Sequence, residues 1–136
     1  MKTRTFLLTV LIAVGIWTMM PATAGAQKKQ DAHITYVMKI MKLDTQTKAK
    51  FEPLLKQYYS EIATAKSEYK KLKDKYDDLR DAGKLSDDQC NQLFNGKLKQ
   101  ERAELDVREK YYTEFKKVLS VKQAYQAIRL CNDKVE

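Results

Sequence analysis

Apolar side chains recur along residues 51–79 in alternating steps of four and three residues. This 3.5-residue repeat is typical of the seam of a left-handed coiled coil, and the residues between are mostly charged or hydroxyl-bearing. The seam positions are Phe51, Leu55, Tyr58, Ile62, Ala65, Tyr69, Leu72, Tyr76 and Leu79. The pattern predicts one long helix from Asp44, as its N-cap, to Asp81. Because Pro53 lacks a backbone donor, the sequence leaves open a kink there or a helix start nearer Phe51.

The same repeat continues in a second stretch, which predicts another long helix from about Asp87 to Val118. Its seam positions are Cys90, Phe94, Leu98, Glu101, Leu105, Arg108, Tyr112, Phe115 and Leu119. Gly83 suits the left-handed conformation that ends many helices, so a short turn should join the two long helices. We therefore expect an antiparallel hairpin in which the numbers of facing residues sum to about 168. Gly96 does not interrupt the repeat, so we expect it to be tolerated inside the helix at a cost of about 1 kcal/mol.

Two short segments carry strong helix-start signals. In each, a serine can cap the helix, a glutamine three residues later can bond back to the serine amide, and the preceding leucine can pack on the first turn. The two segments are Leu85-Ser86-Asp87-Asp88-Gln89 and Leu119-Ser120-Val121-Lys122-Gln123. The second one predicts a short last helix from Val121 to Cys131.

Residues 32–42 predict a short first helix with one apolar face. A second apolar stripe, at one end of the long helices, offers both short helices a docking surface. Its members are Leu54, Tyr59, Val107, Tyr111 and Val118. The predicted fold is therefore all-α, with a long antiparallel helical hairpin, two short flanking helices and four helices in total. Beyond residues 62 and 105 only the seam would remain, which is too little burial for stability, so we expect a homodimer.

The chain begins in the manner of a secretory signal peptide. Lys2 and Arg4 precede an apolar run over residues 6–20, and small residues follow up to Ala26. The run is shorter than the roughly 20 residues of a spanning helix, which favours cleavage after Ala24 or Ala26 over a retained anchor. The predicted organisation is a signal peptide over residues 1–26, a disordered N-terminus over 27–31 and a helical domain over 32–136. We expect export, without stable membrane insertion after cleavage.

Little in the mature chain could carry catalysis. His33 is the single histidine, and no Gly-rich loop is present to hold a phosphate, so we expect neither enzymatic activity nor a cofactor. The possible metal ligands are His33, Met38, Met41, Cys90 and Cys131. They are dispersed along the chain, so we expect no metal site.

The charge of the chain is basic. The whole sequence carries a net charge of +8, and removal of residues 1–26, which hold two basic residues and no acid, leaves +6. Export argues against nucleic acid as a partner and favours acidic envelope surfaces or acidic protein segments. The alternative is that scattered lysines keep the long helices soluble.

Cys90 and Cys131 leave two alternatives open. An exported protein with an even number of cysteines can form an internal disulfide. If the last helix folds back along the second long helix, however, Cys131 lies roughly 25 Å from Cys90 at helical rise, beyond the reach of a bridge. We therefore favour free thiols or an intermolecular bridge over an internal one.

The two helix-start segments resemble the LTxxQ motif of the Spy/CpxP family of periplasmic proteins, with serine in place of threonine. Leu43-Asp44-Thr45-Gln46-Thr47 resembles a weaker third copy that lacks the final glutamine. The segment from Phe51 to Tyr58, followed by Glu61, is similar to Spy-like exported proteins of Bacteroidota. The resemblance covers about residues 32–131, and it implies a four-helix, hairpin-based fold, a periplasmic location and a thin homodimer.

The same resemblance implies an ATP-independent periplasmic chaperone or envelope-stress protein that binds non-native proteins. The alternatives are a regulatory envelope protein that binds a single partner such as a sensor kinase, or a metal-resistance accessory protein. Zinc-binding relatives use His-rich segments, which this chain lacks. The candidate client contacts are Ile34, Met38, Met41, Tyr59, Tyr111, Lys56, Lys66, Lys70 and Lys73. The apolar members have a second interpretation, in which they only dock the short helices.

Overall fold

The computed structural model describes residues 24–133, and this part of the chain is almost entirely helical. Its elements are α1 (Ala24–Met41), α2 (Thr45–Lys75), α3 (Asp77–Asp81), α4 (Asp87–Phe115) and α5 (Val121–Asn132). No strand occurs among these residues, so the predicted all-α class is confirmed. The predicted total of four helices is wrong, because the described part contains five. Most of the predicted signal peptide, residues 1–23, lies outside the described residues, as do residues 134–136.

The additional helix arises because α2 ends at Lys75, with Tyr76 as its C-cap, instead of continuing to Asp81. The backbone N–H of Tyr76 is shared between the carbonyls of Leu72 and Lys73, at 3.3 and 3.2 Å, and its φ of −105° lies outside the helical range. The side chain of Tyr76 is buried, and its hydroxyl donates a hydrogen bond to Gln92 Oε1 at 2.9 Å. This contact with α4 anchors the break, and α3 follows as a separate short helix.

The start of α2 is where the sequence predicts it. Asp44 is the N-cap, and its carboxylate accepts hydrogen bonds from the backbone N–H and the hydroxyl of Thr47 at 2.8 and 2.9 Å. These bonds to the ionised form hold the pKa of Asp44 below its ordinary value. Pro53 lies inside α2, so the alternative of a helix start nearer Phe51 is wrong.

The first helix is longer than predicted. Residues 27–31, for which the sequence predicts disorder, lie within α1, where Gln27 Nε2 donates a hydrogen bond to Asp31 Oδ1 at 3.1 Å. No glycine or proline occurs between residues 26 and 41, so the docked part of the helix can propagate toward the N-terminus. These residues are mostly exposed, and their helical state comes from propagation instead of burial.

Both predicted helix-start segments are confirmed as capping boxes. The Ser86 hydroxyl accepts a hydrogen bond from the Gln89 N–H at 3.2 Å, and Gln89 Oε1 accepts one from the Ser86 N–H at 3.0 Å. Ser120 and Gln123 repeat the arrangement at the start of α5 with the same two distances. Each serine cap is typically worth about 1 kcal/mol, so these local signals fix where α4 and α5 begin.

The helices α2 and α4 pack against each other in opposite directions. The rings of Phe51 and Phe115 lie 5.0 Å apart, while Glu68 pairs with Lys99 at 2.9 Å nearer the far end. Residue numbers that rise along α2 therefore meet numbers that fall along α4. The α2 seam is confirmed at this end of the pair, since Phe51, Leu55 and Tyr58 are buried.

The predicted seam of α4 is wrong over much of its length. Phe94 and Leu105 are 64% and 58% exposed, although the repeat predicts them to face α2. Tyr111, one position before the predicted Tyr112, is buried instead and packs edge to face against Tyr58 with ring centroids 5.7 Å apart. The helix is thus rotated about its axis relative to the prediction.

Gly96 supplies a physical reason for this rotation. A Cβ atom at Gly96 would lie 3.1 Å from Leu72 Cδ2 and 3.3 Å from Tyr69 Cδ2, which is tighter than ordinary van der Waals contact. The missing side chain lets α2 approach α4 closely on the glycine face. The apolar repeat predicts only that Gly96 is tolerated, whereas in the structure this glycine is part of the contact between the two helices.

The buried core is concentrated at the end of the molecule where α1 and α5 lie, which we call the open end. The opposite end, formed by residues 76–92, is the tip. At the open end α1 packs against α2 and α5, and α5 packs against α4. The core residues are Ile34, Val37, Met41, Phe51, Leu55, Tyr58, Tyr111, Phe115, Leu119, Ala124, Ala127 and Leu130. Within the described residues, Tyr76 is the single buried apolar side chain outside this cluster.

Candidate binding surfaces

The five apolar residues proposed as client contacts lie in or against the core. Ile34, Met41 and Tyr111 are buried, and Met38 and Tyr59 are half-buried and pack on the same cluster. Three of the five therefore have little surface to offer another protein in this chain. Their placement favours the interpretation in which they dock α1 onto the rest of the fold.

The four candidate lysines are exposed on α2, in agreement with a solvent-facing basic surface. Lys66, Lys70 and Lys73 share one face of the helix, because they are spaced by four and three residues. Lys70 Nζ lies 2.6 Å from Asp74, and Lys56 lies 3.8 Å from Glu52. The hydrogen bond from Lys70 lowers the pKa of Asp74. Exposed pairs of this kind contribute at most about 1 kcal/mol, so they do not lock the lysines away from a partner.

An apolar surface that the 3.5-residue repeat predicts to be interior is exposed on α4. We call it the α4 stripe, and it consists of Phe94, Leu98 and Leu105. Leu98 is half-buried between its two more exposed neighbours. The 3.5-residue repeat identifies these residues as one apolar face of a helix, but the repeat does not specify which other helix covers that face.

The two sides of the α2–α4 pair differ in character. Glu68 and Lys99 join the helices on one side at 2.9 Å, and Glu61 joins Lys110 on the same side at 2.7 Å. Helical spacing then places the α4 stripe on the other side, together with the lysine face of α2. The exposed apolar and basic side chains therefore share a side.

The side that carries the ion pairs also holds a shallow cleft of about 420 Å³ between the helices. Thr64, Ala65, Gly96 and Ala103 line it, and Glu68 and Lys99 lie at its edge. It is open to solvent, and its lining also includes Lys71, Lys75 and Lys99. The small lining residues are explained by the close approach of the two helices.

A second exposed apolar surface lies on α5. Val121 and Tyr125 are 61% and 63% exposed and share a face, since they are four residues apart. Lys122 and Arg129 are exposed on the same helix. We call Val121 and Tyr125 the α5 pair; it lies at the open end, away from the tip.

One acidic side chain is buried between the long helices. Glu104 accepts hydrogen bonds from Gln100 Nε2 at 2.6 Å and from Arg108 Nη2 at 3.1 Å. The seam prediction placed Arg108 in the interface but missed Glu104, which no apolar repeat can reveal. Because both partners lie one turn away on the same helix, the carboxylate is satisfied within α4.

Titratable groups cluster where α1, α2 and α5 meet. His33 Nδ1 lies 3.2 Å from the Tyr59 hydroxyl, and their rings meet edge to face. Burial raises the pKa of Cys131, next to Tyr59, from 9.0 to about 11. Burial also raises the pKa of Tyr59 above its ordinary value. Cys90 is exposed, and both cysteines are free, so the internal disulfide is not formed.

These environments predict very different thiol reactivities. We expect Cys131 to react with Ellman's reagent at pH 8 at least about tenfold more slowly than the exposed Cys90, because the thiolate is the nucleophile and burial both raises the pKa of Cys131 and limits access to it. The measurement uses the single-thiol variants Cys90→Ser and Cys131→Ser. Both should react alike in denaturant. Equal rates in the folded protein would contradict the partly buried position of Cys131 against the core.

Comparisons with known proteins do not identify this chain. Family models, curated proteins and solved structures all give no match. Within residues 24–133, no group of three His, Cys, Asp or Glu side chains is placed to hold a metal ion. In the same part of the chain, no helix is both long and apolar enough to span a membrane. The described residues define a structural class: an all-helical protein built on two long helices that pack against each other.

Proposed function

We propose that this protein is an ATP-independent periplasmic chaperone or envelope-stress protein that binds non-native proteins as a homodimer. The signal-peptide pattern supports the periplasmic location, and the capping boxes at the starts of α4 and α5 support kinship with the Spy/CpxP family. We also infer that the two long helices form the hairpin of that family, with α3 as a broken continuation of α2.

The observation that carries the proposal is the combination of exposed apolar and exposed basic side chains. Client chains that have lost their fold expose apolar segments, and the α5 pair offers apolar surface of matching character. The lysine face of α2 attracts acidic stretches over a distance set by salt, about 10 Å at 0.1 M and about 3 Å at 1 M. Encounter would depend on charge, and retention on apolar contact.

We propose an apolar client contact that differs from the one the sequence suggested. Ile34, Met41 and Tyr111 are buried in the core, so the client contact shifts to exposed side chains. Val121 and Tyr125 replace them in the proposal. Lys56, Lys66, Lys70 and Lys73 remain in it as the basic contacts.

The test is suppression of aggregation of several unrelated, chemically unfolded proteins without nucleotide. We expect the wild-type protein to slow aggregation of each client. Val121→Ser with Tyr125→Ser should speed client release, because the substitutions remove apolar contact area. A triple Lys→Glu variant at residues 66, 70 and 73 should instead slow association about tenfold, as should 1 M salt.

The control for charge is the same change at Lys28, Lys29 and Lys39, which are exposed on α1 and leave the same net charge. This variant should retain most of the wild-type association rate. If the wild-type protein leaves aggregation of all clients unchanged at stoichiometric excess, the chaperone proposal is wrong. The regulator that binds a single envelope partner would then be the better hypothesis.

A further inference from the structure

The cleft between α2 and α4 is part of a longer groove. Beside the cleft of about 420 Å³ lies a second one of about 320 Å³, and Thr64, Ala65 and Ala103 line both. Along α2 the two clefts together extend from Glu61 to Lys75, which is about 21 Å at 1.5 Å per residue. We call this the α2–α4 groove; it runs between residues 61–75 and 96–110. Its volume is in the range of small-molecule sites.

The middle of the groove has an apolar lining. Leu72 and Tyr69 lie against Gly96, and an added Cβ atom there would be 3.1 and 3.3 Å from their side chains. The two alanines of the lining present only methyl groups, and Val107 continues the apolar surface toward the open end. A thin apolar chain that lies along the groove therefore removes apolar surface from water on both helices.

Positive charge is concentrated in the half of the groove nearer the tip. This half is lined by Lys71, Lys75, Lys99 and one acid, Glu68, a net charge of +2. Lys99 binds Glu68 at 2.9 Å, whereas the ion pairs among residues 24–133 do not include Lys71 or Lys75. The other half is neutral, because its single acid and single base bind each other at 2.7 Å. The groove thus has a cationic end and a neutral end.

The acidic residues nearby do not line the groove. Asp74 is bound by Lys70 at 2.6 Å and lies outside the lining. Asp78 lies on α3, and Asp106 lies on α4 level with the neutral half; neither belongs to the lining. Direct contact with a ligand head group at the cationic end is therefore left to the lysines.

We propose that the α2–α4 groove binds the anion of a long-chain fatty acid. The carboxylate lies between Lys71 and Lys75, and the acyl chain runs along the apolar lining toward Val107. The close approach of α2 and α4 explains the small residues of the groove but not its lysines, whereas an anionic amphiphile uses both. The groove lies on the opposite side of the helix pair from the lysine face of α2, so the proposal is independent of client binding.

The width of the groove favours an acyl chain over a helix of a partner protein. Two ion pairs, Glu68 with Lys99 and Glu61 with Lys110, join the helices on this side. A third helix, about 10 Å in diameter, cannot reach the lining without separating both pairs. An extended acyl chain is much thinner and can lie beneath them.

The first experiment is calorimetric titration of the wild-type protein with dodecanoate at about pH 7.5 and 0.1 M salt, where the carboxylate is ionised. We expect one dodecanoate to bind per chain, with a dissociation constant below about 1 mM. Dodecyltrimethylammonium, which has the same chain length and a cationic head, should bind at least about tenfold more weakly. Octanoate should also bind at least about tenfold more weakly, because it lacks four methylene groups.

Substitutions that fill the groove test its apolar part. Ala65→Leu and Ala103→Leu, made singly, should each weaken dodecanoate binding at least about tenfold, because the larger side chain occupies the space of the acyl chain. Leucine and alanine are both good helix formers, so we expect circular dichroism to show both variants as helical as wild type. The matched control is Ala63→Leu, which is exposed on α2 outside the lining and should change binding less than about twofold.

Neutralisation of the lysines tests the cationic end without changing the packing of the helices. Lys71→Gln with Lys75→Gln should weaken dodecanoate binding about threefold to tenfold and should not weaken binding of dodecyltrimethylammonium. Lys48→Gln with Lys50→Gln removes the same charge from exposed positions of α2 away from the groove, and should change dodecanoate binding less than about twofold.

Amide chemical shifts locate the bound chain. Dodecanoate should shift the amides of Gly96 and Ala103 more than those of Val121 and Tyr125. Four results would overturn the proposal: no saturable binding up to about 1 mM, equal affinity for the anionic and cationic amphiphiles, shifts centred on the α5 pair, or equal loss of affinity in the lysine variant and its control. None of these measurements involves aggregation, so this proposal and the chaperone proposal can fail separately.

Discussion

Replacing Phe115 by alanine is expected to lower the free energy of unfolding by about 3–5 kcal/mol. The ring is completely buried at the open end and packs against Phe51, with centroids 5.0 Å apart, and against Tyr58 and Tyr111. Its removal leaves a cavity among rigid aromatic rings from three positions, which cannot collapse to fill it. Urea unfolding followed by circular dichroism measures the loss directly.

Phe94→Ala is the matched control, since it changes the same residue type on the same helix. Phe94 is 64% exposed, so the substitution should cost less than about 0.5 kcal/mol in the monomer. Similar losses for the two variants in dilute solution would mean that α4 has the orientation the repeat predicts.

The second large effect is expected in alkali, where the helices should be lost between about pH 10 and 12. Four weak acids are packed at the open end, and burial raises the pKa of each. Burial takes the pKa of Tyr58 to about 12 and that of Cys131 to about 11. It also raises the pKa of Tyr59 and Tyr111 above the ordinary 10.0.

The direction of this effect follows from proton linkage. The unfolded chain releases these protons at the ordinary pKa values, near 9 to 10, whereas the folded chain retains them to higher pH. Above pH 9 the unfolded state therefore binds fewer protons than the folded state, and stability falls as pH rises. Below that pH all four groups are neutral in both states, so they cause no pH dependence.

Helix loss and tyrosinate absorbance, recorded on one sample, test this prediction. We expect the buried tyrosines to ionise together with unfolding. Tyr59→Phe should raise the midpoint by several tenths of a pH unit, because one buried acid is removed. Tyr125→Phe is the control and should not, since Tyr125 is 63% exposed. Ionisation of all tyrosines while the helices persist would contradict their burial.

Signals that act within one turn were predictable from the sequence. The serine and glutamine at each capping box contact only each other, so no knowledge of the tertiary fold is needed to place the starts of α4 and α5. Asp44 is a cap for the same reason. The break at Tyr76 was not predictable, because it depends on a hydrogen bond to Gln92 across the helix pair.

The face of α4 was not predictable because the sequence offers two stripes. One is the apolar repeat through Phe94 and Leu105, and the other passes through Gly96 and Tyr111. The first stripe is the more hydrophobic, so it is the one that an apolar pattern predicts to be buried. Close approach of two helices also stabilises their packing, and a glycine permits the closest contact although it adds little hydrophobicity. Tyr111 was assigned to a docking stripe and Glu104 to no interface at all.

The candidate contacts show the same limit. Exposure of the four lysines followed from their charge, whereas Ile34 and Met41 could equally have met a client or another helix of the chain. A helical pattern identifies an apolar face, but the identity of what covers it depends on the loops and on neighbouring helices. The α5 pair lay within a predicted helix, yet nothing local marked Val121 and Tyr125 as exposed.

The concentration of the core at the open end has a consequence for amide hydrogen exchange. Opening of the tip breaks few apolar contacts beyond those of Tyr76, whereas opening at Phe51 or Phe115 exposes the whole cluster. Amides near the tip can therefore exchange through local fraying, and those of the open end only through global unfolding. Each long helix is then a single element of secondary structure whose two ends belong to different cooperative units. The free energy of local opening therefore changes along the axis of each long helix, not at the ends of the helix.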